Sequence, residues 1–395
     1  MKTALLCLLP LLANGAAVAQ GPVKLTPAQA AHFQKLAAEV LFWSDAERDR
    51  NFRRMERIFP SIPVASGHHV HPLPPGKSLV SALGGSGSVD HLMEQLHEIG
   101  LLVLQDGRIR LERYHDGFGP AYRWTSFSVA KSLTSSLVGA AMKDGYIKSL
   151  DDPVTRYIPE LKGSAYDGVT VRQLLTMTSG VKWNEDYTDP KSDVARMLST
   201  PAPPGENPTV AYMRRLPREA PPGTKWVYKT GETMLVGVLV EKATGKTLAQ
   251  YLSQKIWRPY GMQEDAFWEV DAGGGNIGGC CVSSALRDYG RVGQFLLDGG
   301  RAGGKQVVPS WWIAQATSKQ ADIGEPGFGY GYQWWTESNG SYEAIGIFGQ
   351  MIHVDPKLRL VIVTLSNWPK PTDEALSAKR RALVKRITDA AAEVR

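Results

Sequence analysis

The stretch Ser126–Gly145, SFSVAKSLTSSLVGAAMKDG, places Ser128 and Lys131 three residues apart at the head of an amphipathic helical run. Positions three apart lie on one helix face, so the Lys131 amine can point at the Ser128 hydroxyl. A serine in the first turn also feels the positive end of the helix dipole, which favours an alkoxide and lowers the affinity of a nearby lysine for its proton. Two readings are open at this point: Ser128 as a helix cap with Lys131 solvated, or the pair as nucleophile and proton acceptor. The spacing alone does not decide, because Ser179-Gly180-Val181-Lys182 repeats it in a glycine-containing turn.

A third residue tips the balance. In WVYKTGET (Trp226–Thr233), Tyr228 precedes a helix start and stands two residues before Thr230. Serine hydrolases that use lysine in place of histidine often need a further group to pass the proton onward, and a tyrosine beside the lysine can serve. Ser128, Lys131 and Tyr228 together form a catalytic constellation.

The rest of the chain sets the frame. Its 395 residues, 43% hydrophobic and 9% aromatic, can bury a large core. A net charge of +6, dispersed along the chain, gives no nucleic-acid footprint. The opening MKTALLCLLPLLANGAAVAQ has one basic residue, an apolar run from Ala4 to Leu12 and small residues at Ala17 and Ala19. It reads as a secretory signal over residues 1–19, too short for a membrane span, and the expected location is periplasmic. Cys280 and Cys281 are adjacent and could bond only through a strained vicinal ring. They read as two small buried residues under the site, with a vicinal disulfide or a reactive thiol as the alternative.

Residues from about Pro27 to Phe59 look helical, and PSIPVASGHHVHPLPPG (Pro60–Gly76) cannot continue a helix. Residues 20–85 are therefore expected to be an N-terminal extension wrapping a catalytic domain over 86–395. LLVLQDGRIRLERYH (Leu101–His115) alternates apolar and polar residues about Asp106-Gly107, a hairpin pattern. A mostly helical insertion is expected over about 145–300, broken by TPAPPGENP and REAPPGTKW. Strands return in AIGIFGQMIHVDPKLRLVIVTLSN (Ala344–Asn367), turning at Asp355-Pro356, and Thr372–Val394 makes a basic amphipathic helix. The fold class is α/β in the α+β sense, an antiparallel sheet built from both chain ends with a helical subdomain inserted. His68, His69 and His71 lie in an extended Pro-rich stretch without a carboxylate or cysteine at ligand spacing, so neither a metal nor a cofactor is expected.

The chain resembles the class C β-lactamase and penicillin-recognising serine hydrolases, in particular the branch containing the nylon-oligomer (6-aminohexanoate-dimer) hydrolases. The resemblance is carried by TSFSVAKS, VTVRQLLTMTSGVKWNEDY, WVYKTGET, GGCCVSSALRDYGRVGQFLLDGG, YGYQWW and IGIFGQMIHVDP, and by FWSDAERDRNFRRMERIFP nearer the start. It implies a β-lactamase-like fold with Ser128 as nucleophile, Lys131 as general base and Tyr228 as proton relay. It also implies an oxyanion hole from the backbone N–H groups of Ser128 and Ile347. Thr230 falls where relatives carry Asn or Ser, and Tyr187 where that branch has a tyrosine touching the scissile amide nitrogen. Trp335 is a candidate substrate contact among Tyr330, Tyr332 and Trp334. Gly346 closes Ala344-Ile345-Gly346, which stands where relatives carry Lys-Thr-Gly or His-x-Gly. Ala344 thus lacks the cation that grips a β-lactam or peptide carboxylate.

The expected function is hydrolysis of small-molecule esters or amides through an acyl-enzyme, with no nucleic-acid partner and no membrane span. Two other readings stay open. One is a penicillin-binding protein, DD-peptidase or β-lactamase; the other is a non-catalytic binding protein on the same fold.

Overall fold

The computed structural model describes residues 23–394, so the proposed signal over residues 1–19 lies outside the described residues. A seven-stranded antiparallel sheet forms the centre. Its strands are β1 (Glu98–Gln105), β2 (Arg108–Tyr114), β3 (Phe328–Tyr330), β4 (Trp335–Glu337), β5 (Tyr342–Gly346), β6 (Gln350–Asp355) and β7 (Leu360–Ser366). They lie in the order β2-β1-β7-β6-β5-β4-β3, so β1 from the front of the chain pairs with β7 from its end. This is the expected sheet built from both ends.

Asp106 and Gly107 both take positive φ (49° and 71°), the conformation of a tight hairpin turn, and glycine supplies the second without steric penalty. The alternation read across this hairpin does not extend to β1, where every residue is buried. As an interior strand, β1 is covered on both faces: Leu101 and Val103 point into one apolar cluster, and Leu102 and Leu104 into another. Helix α4 (Leu286–Leu297) covers the Leu102 face, and the C-terminal helix α5 (Glu374–Glu393) covers the Leu101 face. The N-terminus of α5 is capped by Asp373, which accepts from the Leu376 N–H at 2.9 Å.

The inserted region is less purely helical than its periodicity predicts. Ala266–Glu269 and Val282–Ala285 are strands, joined with Ser61–Val64 and Arg123–Thr125 in a second, four-stranded antiparallel sheet. These segments are four residues each and mostly buried, so they carry no period-2 signature. Helix α2 (Ala130–Lys143), just before the insertion, packs against α3 (Thr230–Thr244) within it and brings Ser128 and Thr230 to one point.

The N-terminal segment is bound into this body by aromatic contacts. Phe33 of α1 (Pro27–Glu39) meets Phe59 edge-on at 5.8 Å. Phe52 is fully buried, its ring 4.9 Å from that of Phe127 and 5.3 Å from that of Phe348. The residues flanking the proposed nucleophile and oxyanion hole are thus backed by a side chain from the chain's first sixty residues. His71, one of the three histidines, stacks on Tyr260 at 4.5 Å, and its carbonyl accepts from Arg291, a packing role.

Candidate active site

Ser128 lies in a single helical turn, Phe127–Val129, that leads into α2, and it remains partly accessible. Lys131, one turn on, is 1% exposed, and its Nζ lies 2.8 Å from Ser128 Oγ, 3.0 Å from Thr230 Oγ1 and 2.7 Å from the Gly279 carbonyl oxygen. Burial pushes the Lys131 pKa down to about 7, against the opposing pull of the Glu185 carboxylate. A neutral lysine amine has two N–H donors and one lone pair. The three neighbours match that inventory, with the carbonyl and Thr230 as acceptors and the Ser128 hydroxyl as donor.

The Tyr228 ring centroid is 5.1 Å from Lys131 Nζ, and Trp335 stacks on that ring at 5.6 Å and 19°. Burial, and then the charge of Glu185, raise the Tyr228 pKa, while a hydrogen bond with Ser128 works the other way. The phenol therefore keeps its proton at neutral pH, which suits a proton donor and disfavours a tyrosinate base.

Glu185 is the residue that sequence reasoning missed. Its carboxylate accepts from the Thr230 backbone N–H at 2.9 Å and from the Tyr187 hydroxyl at 2.7 Å, and further from the Thr230 hydroxyl and the Trp183 indole N–H. A carboxylate against the first turn of α3 is favoured by the helix dipole. Its signal was available in WNEDY, two residues before Tyr187. Tyr187, expected to face a scissile amide, donates to Glu185 here.

Strand β5 ends against the turn that carries Ser128. A Cβ on Gly346 would stand 2.5 Å from the Ser126 carbonyl oxygen, so only glycine permits this approach. The strand end carries Ile347 to the cavity wall beside Ser128, and Phe127 and Phe348 on either side hold φ of 43° and 59°, values rare for residues with a side chain. Ala344 is buried in β5 and brings no charge.

Cys280 and Cys281 depart from the reading as two separate small residues: their sulfurs are bonded. The pair holds position between two parts of the site. Cys281 N–H donates to the Phe127 carbonyl at 3.3 Å, and Gly279, just before the pair, accepts from Lys131. The second Ser-x-x-Lys motif is not a site. The Ser179 hydroxyl bonds Glu232, and Lys182 is exposed.

Ser128 lies where two cavities meet. The smaller, about 70 Å³, is apolar and walled by Phe33, Ala37, Val40 and Leu41 of the N-terminal segment, with Thr230 and the cysteine pair opposite. The larger, about 300 Å³, is lined by Glu185, Tyr228, Trp335, Ile345, Gly346, Trp368 and Arg380. Tyr187 and Ile347 border both. Of the four aromatic candidates around YGYQWW, Trp335 reaches this space, while Tyr330, Tyr332 and Trp334 are buried in packing. Among the described residues no helix is long and apolar enough to cross a membrane.

The family description Beta-lactamase matches residues 87–386. The chain is 33% identical over 351 residues to the 6-aminohexanoate-dimer hydrolase of Paenarthrobacter ureafaciens, covering 83% of this chain and 88% of that one. A solved structure from Bacillus anthracis, provisionally described as a 6-aminohexanoate-dimer hydrolase, superposes with a TM-score of 0.75 at 25% identity, covering 87% of this chain and 94% of that one. A class C beta-lactamase superposes with a TM-score of 0.61 at 16% identity, over 79% of this chain and 96% of that one, a likeness of fold.

Proposed function

The chain belongs to the beta-lactamase family of serine hydrolases, and on that premise we propose that it cleaves small-molecule esters or amides through an acyl-enzyme on Ser128. The observation that carries this reading is Lys131 Nζ at 2.8 Å from Ser128 Oγ, inside a cage that favours the neutral amine near pH 7. Lys131 takes the Ser128 proton as Oγ bonds to the substrate carbonyl carbon. The resulting oxyanion is held by the N–H groups of Ser128 and Ile347. Collapse breaks the bond to the alcohol or amine, which leaves with the proton passed from Lys131 through the Tyr228 hydroxyl. Water then attacks the acyl-enzyme by the same groups in reverse, and Ser128 regains its proton.

The Gly279 carbonyl and Thr230, itself bonded to Glu185, orient Lys131 from the far side, and Trp335 stacks on the Tyr228 ring. The name of the Paenarthrobacter relative and the apolar lobe beside Ser128 support linear amides as one substrate class and short esters as another. The sequence over residues 1–19 supports export, with residues 20–85 as the extension that walls the small cavity and 86–395 as the catalytic domain. Intact-protein mass spectrometry after brief exposure to a p-nitrophenyl ester tests the central claim. An acyl adduct that maps to Ser128 is expected, and an adduct elsewhere, or none with turnover present, refutes it. The N-terminal residue of the protein recovered from the periplasm tests export.

A further inference from the structure

Helix α5 presents an apolar stripe to the sheet at Leu376, Leu383, Val384 and Ile387, and in that stripe, four residues after Leu376, stands Arg380. It is 7% exposed, and its Nη1 is buried without a hydrogen-bond partner. The guanidinium lies 5.0 Å from the centre of the Trp368 ring, and the Trp368 Nε1 is likewise buried and unpartnered. Both residues line the 300 Å³ cavity that opens at Ser128, and Arg380 is the cation among the lining residues.

Neighbouring acids do not neutralise it by contact. Glu343, whose charge favours the Arg380 cation without touching it, is hydrogen-bonded with His353 at 2.8 Å. Burial raises the Glu98 pKa to about 8, which leaves that carboxyl mostly protonated at pH 7. Burial outweighs the pull of these acids on Arg380, and its unused donors are costly to bury unless an anion meets them. Its planar fork matches a carboxylate.

We propose that Arg380 is a specificity residue that receives a carboxylate of the substrate in the larger cavity. In this reading α5 supplies the cation that Ala344 of β5 lacks. The preferred substrates are then esters or amides of anionic character, bearing a carboxylate on the part that lies along β5. The inference rests on the hydrolase reading for the chemistry, and its test separates the two.

Hexanoate and hexanamide, equal in length and different in charge, are titrated calorimetrically into the full chain and into Arg380→Met and Arg380→Lys. The same proteins are assayed with p-nitrophenyl acetate, a neutral reporter, with each compound as competitor. Wild type is expected to bind hexanoate about tenfold or more tighter than hexanamide, as for a charge-assisted pair. Arg380→Met should erase that preference and Arg380→Lys should keep part of it. Equal affinities in wild type overturn the proposal whether or not the variants fold, and so does a preference that persists in Arg380→Met. Reporter turnover that is absent, with the hexanoate preference present, overturns the hydrolase reading and leaves the carboxylate site standing.

Discussion

Lys131 Nζ meets Ser128 Oγ at 2.8 Å while its other two contacts, Thr230 Oγ1 and the Gly279 carbonyl, hold the amine from behind. The amine is thereby aimed at the hydroxyl before any substrate arrives, which is the preorganisation that proton abstraction requires. Ser128→Ala removes the proposed nucleophile and leaves this scaffold. Ester turnover should fall to the uncatalysed background, with stability changed by about 1 kcal/mol or less, the scale of a lost local hydrogen bond. Residual turnover above a few per cent of wild type, measured on protein with an unchanged melting curve, would reject Ser128 as the nucleophile.

The depressed Lys131 pKa fixes the direction of the pH profile. Lys131 accepts a proton only in its neutral form, so kcat/KM should rise with pH through about 7 and level off above it. The Glu185 charge opposes the fall in that pKa. Glu185→Gln removes the charge, and the acid limb should move to lower pH. A limb that stays in place or moves upward in the variant would separate it from Lys131.

Tyr228 and Tyr187 border the same cavity, yet their hydroxyls have different company. The Tyr228 ring lies against Lys131, its centroid 5.1 Å from Nζ, and Tyr187 donates to Glu185 at 2.7 Å. Tyr228→Phe should depress kcat by about two to four orders of magnitude on esters and amides alike, because it removes the proposed proton relay. Tyr187→Phe should leave ester turnover within about tenfold and lower amide turnover more, since only an amide offers an N–H to orient. One ester and one amide assayed on both variants decide it. Equal losses on the two substrates for Tyr187→Phe would make that residue a wall of the site.

Gly346→Ala tests the proposed oxyanion hole through the backbone. The added Cβ would meet the Ser126 carbonyl oxygen at 2.5 Å, so the end of β5 must move away from the nucleophile turn. Separating the Ile347 N–H from Ser128 should lower kcat by about two to three orders of magnitude, as for loss of one oxyanion donor. KM for a small ester should change little. A variant with native kcat and native melting temperature would place the second donor elsewhere.

The sequence by itself determined the elements whose causes are local. Ser128 and Lys131 share a face because three residues nearly complete a helical turn, and Asp106-Gly107 turns because glycine takes positive φ freely. The tyrosine motif and the sheet drawn from both chain ends were legible from motif order and from strand patterns at the two termini. Tertiary structure alone decided what depends on distant segments meeting. Glu185 became the hub of the site because a loop carries it to the first turn of α3, forty-five residues later in the chain. The strands Ala266–Glu269 and Val282–Ala285 escaped notice because four mostly buried residues are too few to show alternation. Arg380 read as one more basic residue of an amphipathic helix. It gained its meaning when packing turned that face inward to the cavity at Ser128, since exposure and solvation, which set the worth of a charge, belong to the assembled fold and not to the residue.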